Sequence, residues 1–516
     1  MARDEPGAGD CAPGETECKE RGSARESCHI KLVMRAGNAG VSLTMKRFHI
    51  LVLGSLFLCF GAAATAQQAS PVPSNPPPVK AANEEFLKAA DEVLQQMSEL
   101  LSLPVQAPLK KSLRTREEIR DYVIRRMKED KSAAKRYADQ KALEKFGLIP
   151  KGFELEPYLV ELLTEQIAGL YDPKGQEFFI ADWIDPADQR IVMAHELTHA
   201  LQDQHFSVDK WLEVAKPNDD AELARDAVLE GSALAAMMDY MLRGLPRGVR
   251  DLPDLDASGL VGELDKSPLL AKAPPFLRDA LLFPYMAGSR FTQHVLRASG
   301  GWADFHKVFE KPPVSTQQIL HPKVYLDGVA PKPVALPDLS GVLPAGWKKL
   351  DENAMGEFAL HEVLKQFLGE ERARMVSPAW AGDRYAIFEH EKTKELLLVT
   401  RVRLESDADA ARFFGLYSEA LELKYEKRRA LYRRPNFFSF QTNEGGVFLR
   451  CVAGECLSVE GSSRETFDRI VRAIGLPPAP STRPAPYRSP QKTTITTIYL
   501  EPAAFPARPG DFLAAR

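Results

Sequence analysis

The sequence has no excess of charge of either sign. Its 67 lysine and arginine residues nearly balance 71 aspartate and glutamate residues, which leaves a net charge of −4 over 516 residues. A protein that binds nucleic acid through a basic surface usually carries a clear positive excess, so we expect no nucleic-acid partner. With 27% charged and 44% hydrophobic residues, the composition is typical of a globular chain long enough for two or three domains.

Long apolar runs are also scarce. The run from Ile50 to Phe60 is too short to favour a transmembrane helix. It follows a basic start at Lys46 and precedes an A-x-A sequence that ends at Ala66, which is the pattern of a signal peptide over residues 45–66. We therefore expect an exported protein, periplasmic or secreted, with no stable membrane span after cleavage. A retained N-terminal anchor is the alternative.

Cysteine is rare as well, with six in the whole chain. Four lie in the signal peptide and in the stretch 1–44, which is predicted to be a misassigned extension before a true start at Met45. Cleavage leaves only Cys451 and Cys456. In an exported protein, this close pair with Gly454 between its members suggests one disulfide across a hairpin. Two buried free thiols are the alternative.

The most informative stretch is Asp185 to Phe206, which reads DPADQRIVMAHELTHALQDQHF. Asp185 suits a helix N-cap, and Pro186 suits the first helical position. Apolar residues recur at every fourth position and form one ridge: Met193, Leu197 and Leu201. This period predicts a helix that buries one face and turns His195 and His199, on the other side, toward a cleft.

Within this helix, His195, Glu196 and His199 form the pattern H-E-x-x-H. Two imidazoles one helical turn apart can each offer a nitrogen to a single Zn²⁺. Glu196 follows on an adjacent side, where it can take a proton from a metal-activated water that attacks a carbonyl group. The pattern predicts two zinc ligands and a general base. A surface helix with two solvated histidines is the alternative.

The run HELTHALQDQHF resembles the zinc-binding helix of the zincin metallopeptidases. More narrowly, it resembles a group of exported, poorly characterised zincins, and the runs EQIAGLYDPK and PPVSTQQILHP resemble the same group over roughly residues 148–325. The resemblance implies a peptidase with one Zn²⁺ per chain and a peptide or protein substrate. A non-catalytic cell-envelope binding protein and a zinc hydrolase of non-peptide amide bonds are the alternatives.

A catalytic zinc site needs a third protein ligand. In the zincin branch that uses a glutamate from a later helix, this residue follows the motif by a few tens of positions. Glu230 lies 31 residues after His199 and is followed by small residues at 231–233, which allow two helices to approach closely. We expect Glu230 to be the ligand. Asp226 is the orienting carboxylate or a rival ligand, and Glu222 is a weaker rival.

Other residues of this region leave choices open. His205 stands where the metzincin pattern has a third histidine, but Gln202 replaces the glycine of that pattern. Leu234 occupies the place where some glutamate-ligand peptidases carry an orienting aspartate. The donor that stabilises the oxyanion in such enzymes is often a histidine or tyrosine, and Tyr285 and His321 are the candidates.

The organisation of the chain predicts an α+β protein. A mainly helical zincin-like domain with a small β-hairpin is expected over residues 81–330, and a smaller α+β domain over 345–476. A proline-rich linker, 67–80, precedes the first, and a disordered tail, 477–516, follows the second. The hairpin surrounds a DPKG turn just before the zinc helix, where zincins bind extended substrates along a strand edge.

Overall fold

The computed structural model describes residues 79–255 and 267–480. These residues form an α+β structure, which confirms the predicted fold class. The predicted extension, the signal peptide and most of the linker and tail lie outside the described residues. In the part that the structure describes, no helix combines the length and apolar character needed to cross a bilayer.

The first part of the fold is mainly helical. Its helices are α1 Val79–Leu101, α2 Arg116–Asp130, α3 Ala133–Phe146, α4 Leu155–Gln166, α5 Pro186–Phe206, α6 Val208–Glu213, α7 Asp219–Leu242, α8 Pro268–Ala271, α9 Pro275–Ser299, α10 Trp302–Phe305, α11 Lys307–Glu310, α12 Thr316–Leu320 and α13 Pro322–Leu326. Three strands form a separate sheet in the order β1-β3-β2: β1 Lys110–Arg114, β2 Gly169–Asp172 and β3 Glu177–Ala181.

Local sequence signals account for several of these elements. Thr115 and Glu118 form a capping box at the start of α2, since each backbone N–H donates to the side chain of the other residue. The hairpin around the DPKG turn is confirmed, with β2 and β3 antiparallel. Strand β1 pairs with β3 in parallel, a long-range pairing that local sequence does not encode.

Helix α5 begins at Pro186, as predicted, and its central residues, 192–202, are buried on every side. The ridge of Met193, Leu197 and Leu201 is fully buried in the core beneath the small sheet. The opposite face is covered as well, because His195 and His199 are only 1% and 2% exposed. This face packs against α7, so the alternative of a surface helix with two solvated histidines is wrong.

The second part of the fold is built on a seven-stranded antiparallel sheet in the order β4-β5-β6-β10-β9-β8-β7. The strands are β4 Trp347–Asn353, β5 Trp380–His390, β6 Leu396–Leu404, β7 Arg429–Arg434, β8 Phe437–Thr442, β9 Gly445–Val452 and β10 Glu455–Ser462. The helices are α14 Gly356–Leu368, α15 Glu370–Arg374, α16 Asp407–Lys424 and α17 Arg464–Ala473.

The predicted cysteine pair is confirmed in this sheet. Cys451 on β9 lies directly opposite Cys456 on β10, and the two form a disulfide. The connecting turn consists of Ala453 and Gly454, which both have positive φ angles, 50° and 75°. A two-residue turn of this kind matches the twist of a hairpin and brings the two cysteines into register.

Residues 315–322, which read STQQILHP, connect the two parts of the fold. The Thr316 backbone N–H and hydroxyl both donate to the buried Asp220 carboxylate at the start of α7. The same hydroxyl accepts from the Phe358 N–H in α14, and the Gln317 amide donates to the Trp380 carbonyl in β5. Burial raises the pKa of Asp220 to about 7, although both Thr316 hydrogen bonds oppose this shift. This run is therefore a polar joint between the helical part and the sheet.

We expect Thr316→Val to lower the free energy of unfolding by about 1–3 kcal/mol, because it removes one of the two hydrogen bonds to the Asp220 carboxylate and leaves the buried Phe358 N–H without its acceptor. Urea unfolding of the full chain measures this change. Thr393→Val is the control, since Thr393 is exposed, and its effect should stay within about 0.5 kcal/mol. Equal losses in the two variants would contradict a role for Thr316 in the joint.

Candidate metal centre

Two helices bring three side chains together at the centre of the helical part. His195 and His199 lie one turn apart on α5, and Glu230 faces them from α7. The His195 Nε2 atom lies 3.3 Å from His199 Nε2 and 3.2 Å from Glu230 Oε2, and His199 Nε2 lies 3.5 Å from the same oxygen. The three residues that the sequence predicts as ligands therefore converge on one point.

The size of this triangle fits a tetrahedral zinc ion. Zinc binds nitrogen and carboxylate oxygen at about 2.0–2.2 Å, so two ligand atoms at the tetrahedral angle lie about 3.3–3.6 Å apart. The three edges, between 3.2 and 3.5 Å, fall in or next to this range. Three protein ligands also leave one position of a tetrahedral ion for water or substrate.

Glu196 lies beside this group in a setting that leaves one carboxylate oxygen available. Its Oε2 accepts a hydrogen bond of 2.9 Å from the backbone N–H of Tyr171, in the edge strand β2. Its Oε1 is buried and has no hydrogen-bond partner. Burial raises the pKa of Glu196 above its usual value. A fixed carboxylate with a raised pKa and one unoccupied oxygen suits an acceptor of protons.

The approach of β2 to α5 depends on Gly169. A Cβ atom at this position would lie 2.5 Å from the Val192 side chain and 3.2 Å from that of Glu196. The absence of a side chain lets the strand come close enough for the Tyr171 N–H to reach Glu196. The Tyr171 hydroxyl also donates to Asp203 on α5, at 2.8 Å, and fixes the strand on the helix at a second point.

Tyr285 on α9 is the second predicted residue that the fold brings to the cluster. Its ring stacks on the His195 imidazole with 6.1 Å between centroids, and its hydroxyl lies within electrostatic reach of Glu230. Burial, followed by the negative charge of Glu230, raises the pKa of Tyr285 well above its usual value. The hydroxyl therefore keeps its proton at neutral pH and can act as a hydrogen-bond donor.

The electric field of the cluster favours positive charge. Burial opposes ionisation of Glu230, but the positive charge of His199 and hydrogen bonds from both histidines lower its pKa to about 2. Burial likewise opposes protonation of His199, yet the Glu230 carboxylate produces a net upward shift of the His199 pKa. Two imidazoles and a buried carboxylate thus attract either protons or a metal cation to the same point.

Gln202 is a residue of this site whose contact sequence reasoning missed. Its side-chain amide donates to the Ser232 hydroxyl on α7 at 2.8 Å. It therefore connects α5, the helix of the two histidines, to the helix that supplies Glu230. Its position three residues after His199, on the same face of α5, is the only signal in the sequence.

The remaining candidates lie elsewhere. The His205 ring is bound to the loop before β1, with its Nε2 atom 2.8 Å from the Pro104 carbonyl oxygen. His321 hydrogen-bonds to Glu357 of α14 at 2.8 Å and belongs to the joint between the two parts. Asp226 and Glu222 lie one and two turns before Glu230 on α7, outside the ligand triangle.

Glycine contacts set the position of Glu230 and Tyr285. A Cβ atom on Gly231 would lie 2.0 Å from the Gly288 carbonyl carbon, and one on Gly288 would lie 2.0 Å from the Ala227 carbonyl oxygen. The backbones of α7 and α9 therefore touch, directly after Glu230 and three residues after Tyr285. This close crossing confirms the prediction that the small residues at 231–233 allow two helices to approach closely.

Gly231→Ala should force α7 and α9 apart, because the methyl group has no space at the crossing. We expect a loss of about 1–3 kcal/mol in the free energy of unfolding, together with weaker zinc binding as Glu230 moves. Unfolding curves and a zinc titration measure the two effects.

Gly415→Ala, in the middle of α16, is the matched control because its Cβ would meet no atom within 4 Å. It should leave stability unchanged or raise it by about 0.5–1 kcal/mol. If the Gly231→Ala protein matched this control in unfolding free energy and zinc affinity, the proposed steric conflict between α7 and α9 would be contradicted.

A second group of carboxylates has a different character. Asp139, Asp219 and Asp351 come together around the Lys135 ammonium, which lies 2.5 Å from Asp139 and 2.9 Å from Asp351. Lys135 offsets one of the three negative charges, and Lys131, 2.7 Å from Asp139, offsets a second. We interpret it as an ion-pair network between α3 and the sheet.

Comparison with known proteins identifies one match, in the second part of the fold. A family described as a domain of unknown function (DUF8575) matches residues 344–470, which cover the seven-stranded sheet and its helices. No curated protein and no solved structure matches the chain. The ligand triangle on α5 and α7 lies outside the matched residues.

Proposed function

We propose that this protein is an exported zinc-dependent peptidase. His195, His199 and Glu230 would hold the Zn²⁺, and Glu196 would act as the general base. The observation that carries the proposal is the ligand triangle, whose edges of 3.2 to 3.5 Å suit a tetrahedral ion. The signal-peptide pattern at residues 45–66 and the disulfide in the second part support export.

The donor set distinguishes this site from an ordinary buried ion pair. Two neutral imidazoles and one carboxylate are a common zinc set in hydrolytic sites, whereas calcium and magnesium prefer oxygen ligands alone. A bound Zn²⁺ supplies Lewis-acid activation of water and of a substrate carbonyl. The adjacent Glu196 Oε1, buried and without a partner, is the proton acceptor that such chemistry requires.

The side chains of the protein have separate tasks in this proposal. Glu196 takes a proton from the attacking water and delivers it to the leaving amine, and the Tyr171 N–H keeps its carboxylate in place. Tyr285, protonated at neutral pH, donates a hydrogen bond toward the oxygen that becomes negative in the transition state. Gln202 and Ser232 keep α5 and α7 in register while this occurs.

The purified mature protein should bind about one zinc ion per chain. His199→Ala and Glu230→Ala should each abolish tight binding, because two ligands hold zinc poorly. Asp226→Asn should weaken it by about 10–100-fold, as expected for a group that acts on a ligand from one turn away.

Competition with a chromogenic chelator ranks these variants. His294→Ala is the matched control, since the His294 ring bonds only a carbonyl of its own helix, that of Arg290, at 2.8 Å. Unchanged zinc affinity in the His199→Ala variant would exclude the proposed site.

Glu196→Gln should keep the metal and lose peptide cleavage by about 10²–10⁴-fold. The amide oxygen can still accept from the Tyr171 N–H, so the local structure should persist, but the amide cannot take up a proton. Cleavage of a mixed peptide library followed by mass spectrometry measures the loss.

The control for this variant is Glu161→Gln on α4, an exposed carboxylate paired with Arg120, which should cleave at the wild-type rate. Wild-type cleavage by the Glu196→Gln protein would place the general base on another residue.

A further inference from the structure

A large cavity lies between the two parts of the fold. Its volume of about 670 Å³ falls within the usual range of about 300–1,000 Å³ for pockets that hold small ligands. The helical part contributes residues of α3, α4, α7 and α9, and the second part contributes residues of α14 and β5. Both parts are therefore needed to form this cavity.

The cavity follows one face of α3 along the whole helix. Its lining includes Ala133 and Phe146, the first and last residues of α3, and several residues between them. At a rise of 1.5 Å per residue, this face is about 20 Å long. One acyl chain extends over about 15 Å, which is half of the roughly 30 Å hydrocarbon core of a bilayer. A single extended acyl chain therefore fits the length of the cavity.

The walls of the cavity are mostly apolar. Both parts of the fold supply the apolar side chains, which include Leu143, Phe146, Leu159, Phe276, Met355 and Phe358. Water forms few hydrogen bonds on such a surface, so its displacement by an apolar group is favourable. The walls therefore suit a hydrocarbon chain.

The two basic residues of the lining are already paired. Lys131 lies 2.7 Å from Asp139, and the two form an ion pair. Arg136 lies 2.9 Å from Glu156 and forms another. A ligand with a negative charge would therefore have to compete with carboxylates of the protein for both cations.

The carboxylates that α7 adds to the lining also have cations near them. Lys135 lies 3.9 Å from Asp219, and Lys216 lies 3.9 Å from Glu222. The charge of Lys216 acts on Asp226 as well. A ligand with a positive charge would thus lose its hydration without meeting a carboxylate that lacks a counter-ion. The charges of the cavity favour a neutral ligand.

Tyr385, on β5, gives the cavity a hydrogen-bonding group. It is a lining residue, it is only 6% exposed, and its ring packs edge-on against Phe146 with 5.2 Å between centroids. Among the residues that the structure describes, none forms a hydrogen bond with its hydroxyl. A buried hydroxyl without a partner is costly, so an oxygen atom of a ligand that accepted from it would offset this cost.

The Tyr385 hydroxyl acts as a donor at neutral pH. Burial, followed by the negative charges of Asp219, Asp351 and Asp139, raises the pKa of Tyr385 well above its usual value, so the hydroxyl keeps its proton. The hydroxyl is therefore within electrostatic reach of these carboxylates, while the ring belongs to the apolar wall.

We propose that this cavity binds one neutral acyl lipid, whose chain lies along α3 and whose ester or hydroxyl oxygen accepts a hydrogen bond from Tyr385. The length and the apolar walls match the chain, the paired charges exclude a charged head group, and the tyrosine hydroxyl matches the oxygen. The proposal goes beyond the peptidase function and does not depend on it.

This site gives a task to the part of the fold that matches a domain of unknown function. Met355, Phe358 and Val363 in and next to α14 and Tyr385 of β5 form one wall of the cavity. All four belong to the matched range 344–470. The second part would thus hold the lipid together with α3, and a bound lipid would stabilise the contact between the two parts.

Three probes with chains of twelve carbon atoms test the preference for a neutral head group: 1-monolauroylglycerol, laurate and dodecylamine. Isothermal titration calorimetry of the delipidated full chain at pH 7.5, below the concentrations at which the probes form micelles, measures their affinities. The neutral ester should bind at about one molecule per chain and about tenfold or more tightly than either charged probe. 1-Monobutyrylglycerol, whose chain is shorter, should bind at least about 100-fold more weakly than the lauroyl ester.

Tyr385→Phe tests the hydrogen bond, because it keeps the cavity and removes only the hydroxyl. It should weaken binding of 1-monolauroylglycerol by about 3–10-fold. Tyr122→Phe is the matched control, since Tyr122 on α2 is likewise buried, at 8% exposure, but does not line the cavity. This control should bind the ester with unchanged affinity.

Ala280→Phe tests the location, because Ala280 on α9 lines the cavity and a phenyl group there would occupy part of its volume. This variant should weaken 1-monolauroylglycerol by at least about tenfold and 1-monooctanoylglycerol by less, since the shorter chain needs less space. Circular dichroism confirms that the variant is folded.

Several outcomes would overturn the proposal. Equal or tighter binding of laurate or dodecylamine would show that the cavity takes a charged ligand. An affinity for the lauroyl ester that Tyr385→Phe leaves unchanged, or that Ala280→Phe leaves unchanged in a folded protein, would place the lipid elsewhere. A protein that cleaves peptides but binds no lauroyl ester would refute the lipid site alone, whereas one that binds the ester without cleaving peptides would refute the peptidase alone.

Discussion

The contact between the backbones of α7 and α9 positions most of the groups at the metal centre. At Gly231 and Gly288 the two helices approach so closely that neither position has room for a methyl group. Glu230 precedes this crossing and Tyr285 lies one turn from it, so both side chains point at the histidines of α5. The two glycines therefore determine where Glu230 and Tyr285 lie, because a wider spacing of the helices would take Glu230 out of reach of His195.

Around this contact, burial and charge act against each other. Glu196, Glu230 and Asp226 are three carboxylates within a few helical turns, in a region where ionised groups are costly. Both histidines lower the pKa of Glu230 and that of Glu196, but burial outweighs them at Glu196. The pKa values of Glu196 and Asp226 are therefore raised, while that of Glu230 is lowered. The centre thus holds carboxylate charge in an apolar setting, where nearby positive charge offsets part of the cost of burial.

Local patterns in the sequence predicted much of this arrangement. The four-residue period predicted α5, and the spacing of Cys451 and Cys456 predicted their pairing. Glu230 followed from its distance along the chain and from a family resemblance. Each of these depends on residues close in sequence or on a pattern with a known spacing.

The features that escaped prediction are non-local or belong to the backbone. The group that holds Glu196 is the backbone N–H of Tyr171. Every residue except proline has such a group, so no sequence pattern marks it. The parallel pairing of β1 with β3 joins residues more than sixty positions apart, such as Lys110 and Glu177. The burial of the histidines depends on where α7 packs, which the period of α5 alone does not determine.

The buried joint made by Asp220, Thr316 and Gln317 has a consequence for how the protein loses its structure. Separating the helical part from the sheet would expose a carboxylate, a hydroxyl and an amide that belong to residues at most 8% exposed, together with the buried apolar side chains of α14. Each part would therefore expose buried groups if the other part unfolded. The two regions should therefore melt in a single cooperative transition, despite having separate hydrophobic cores.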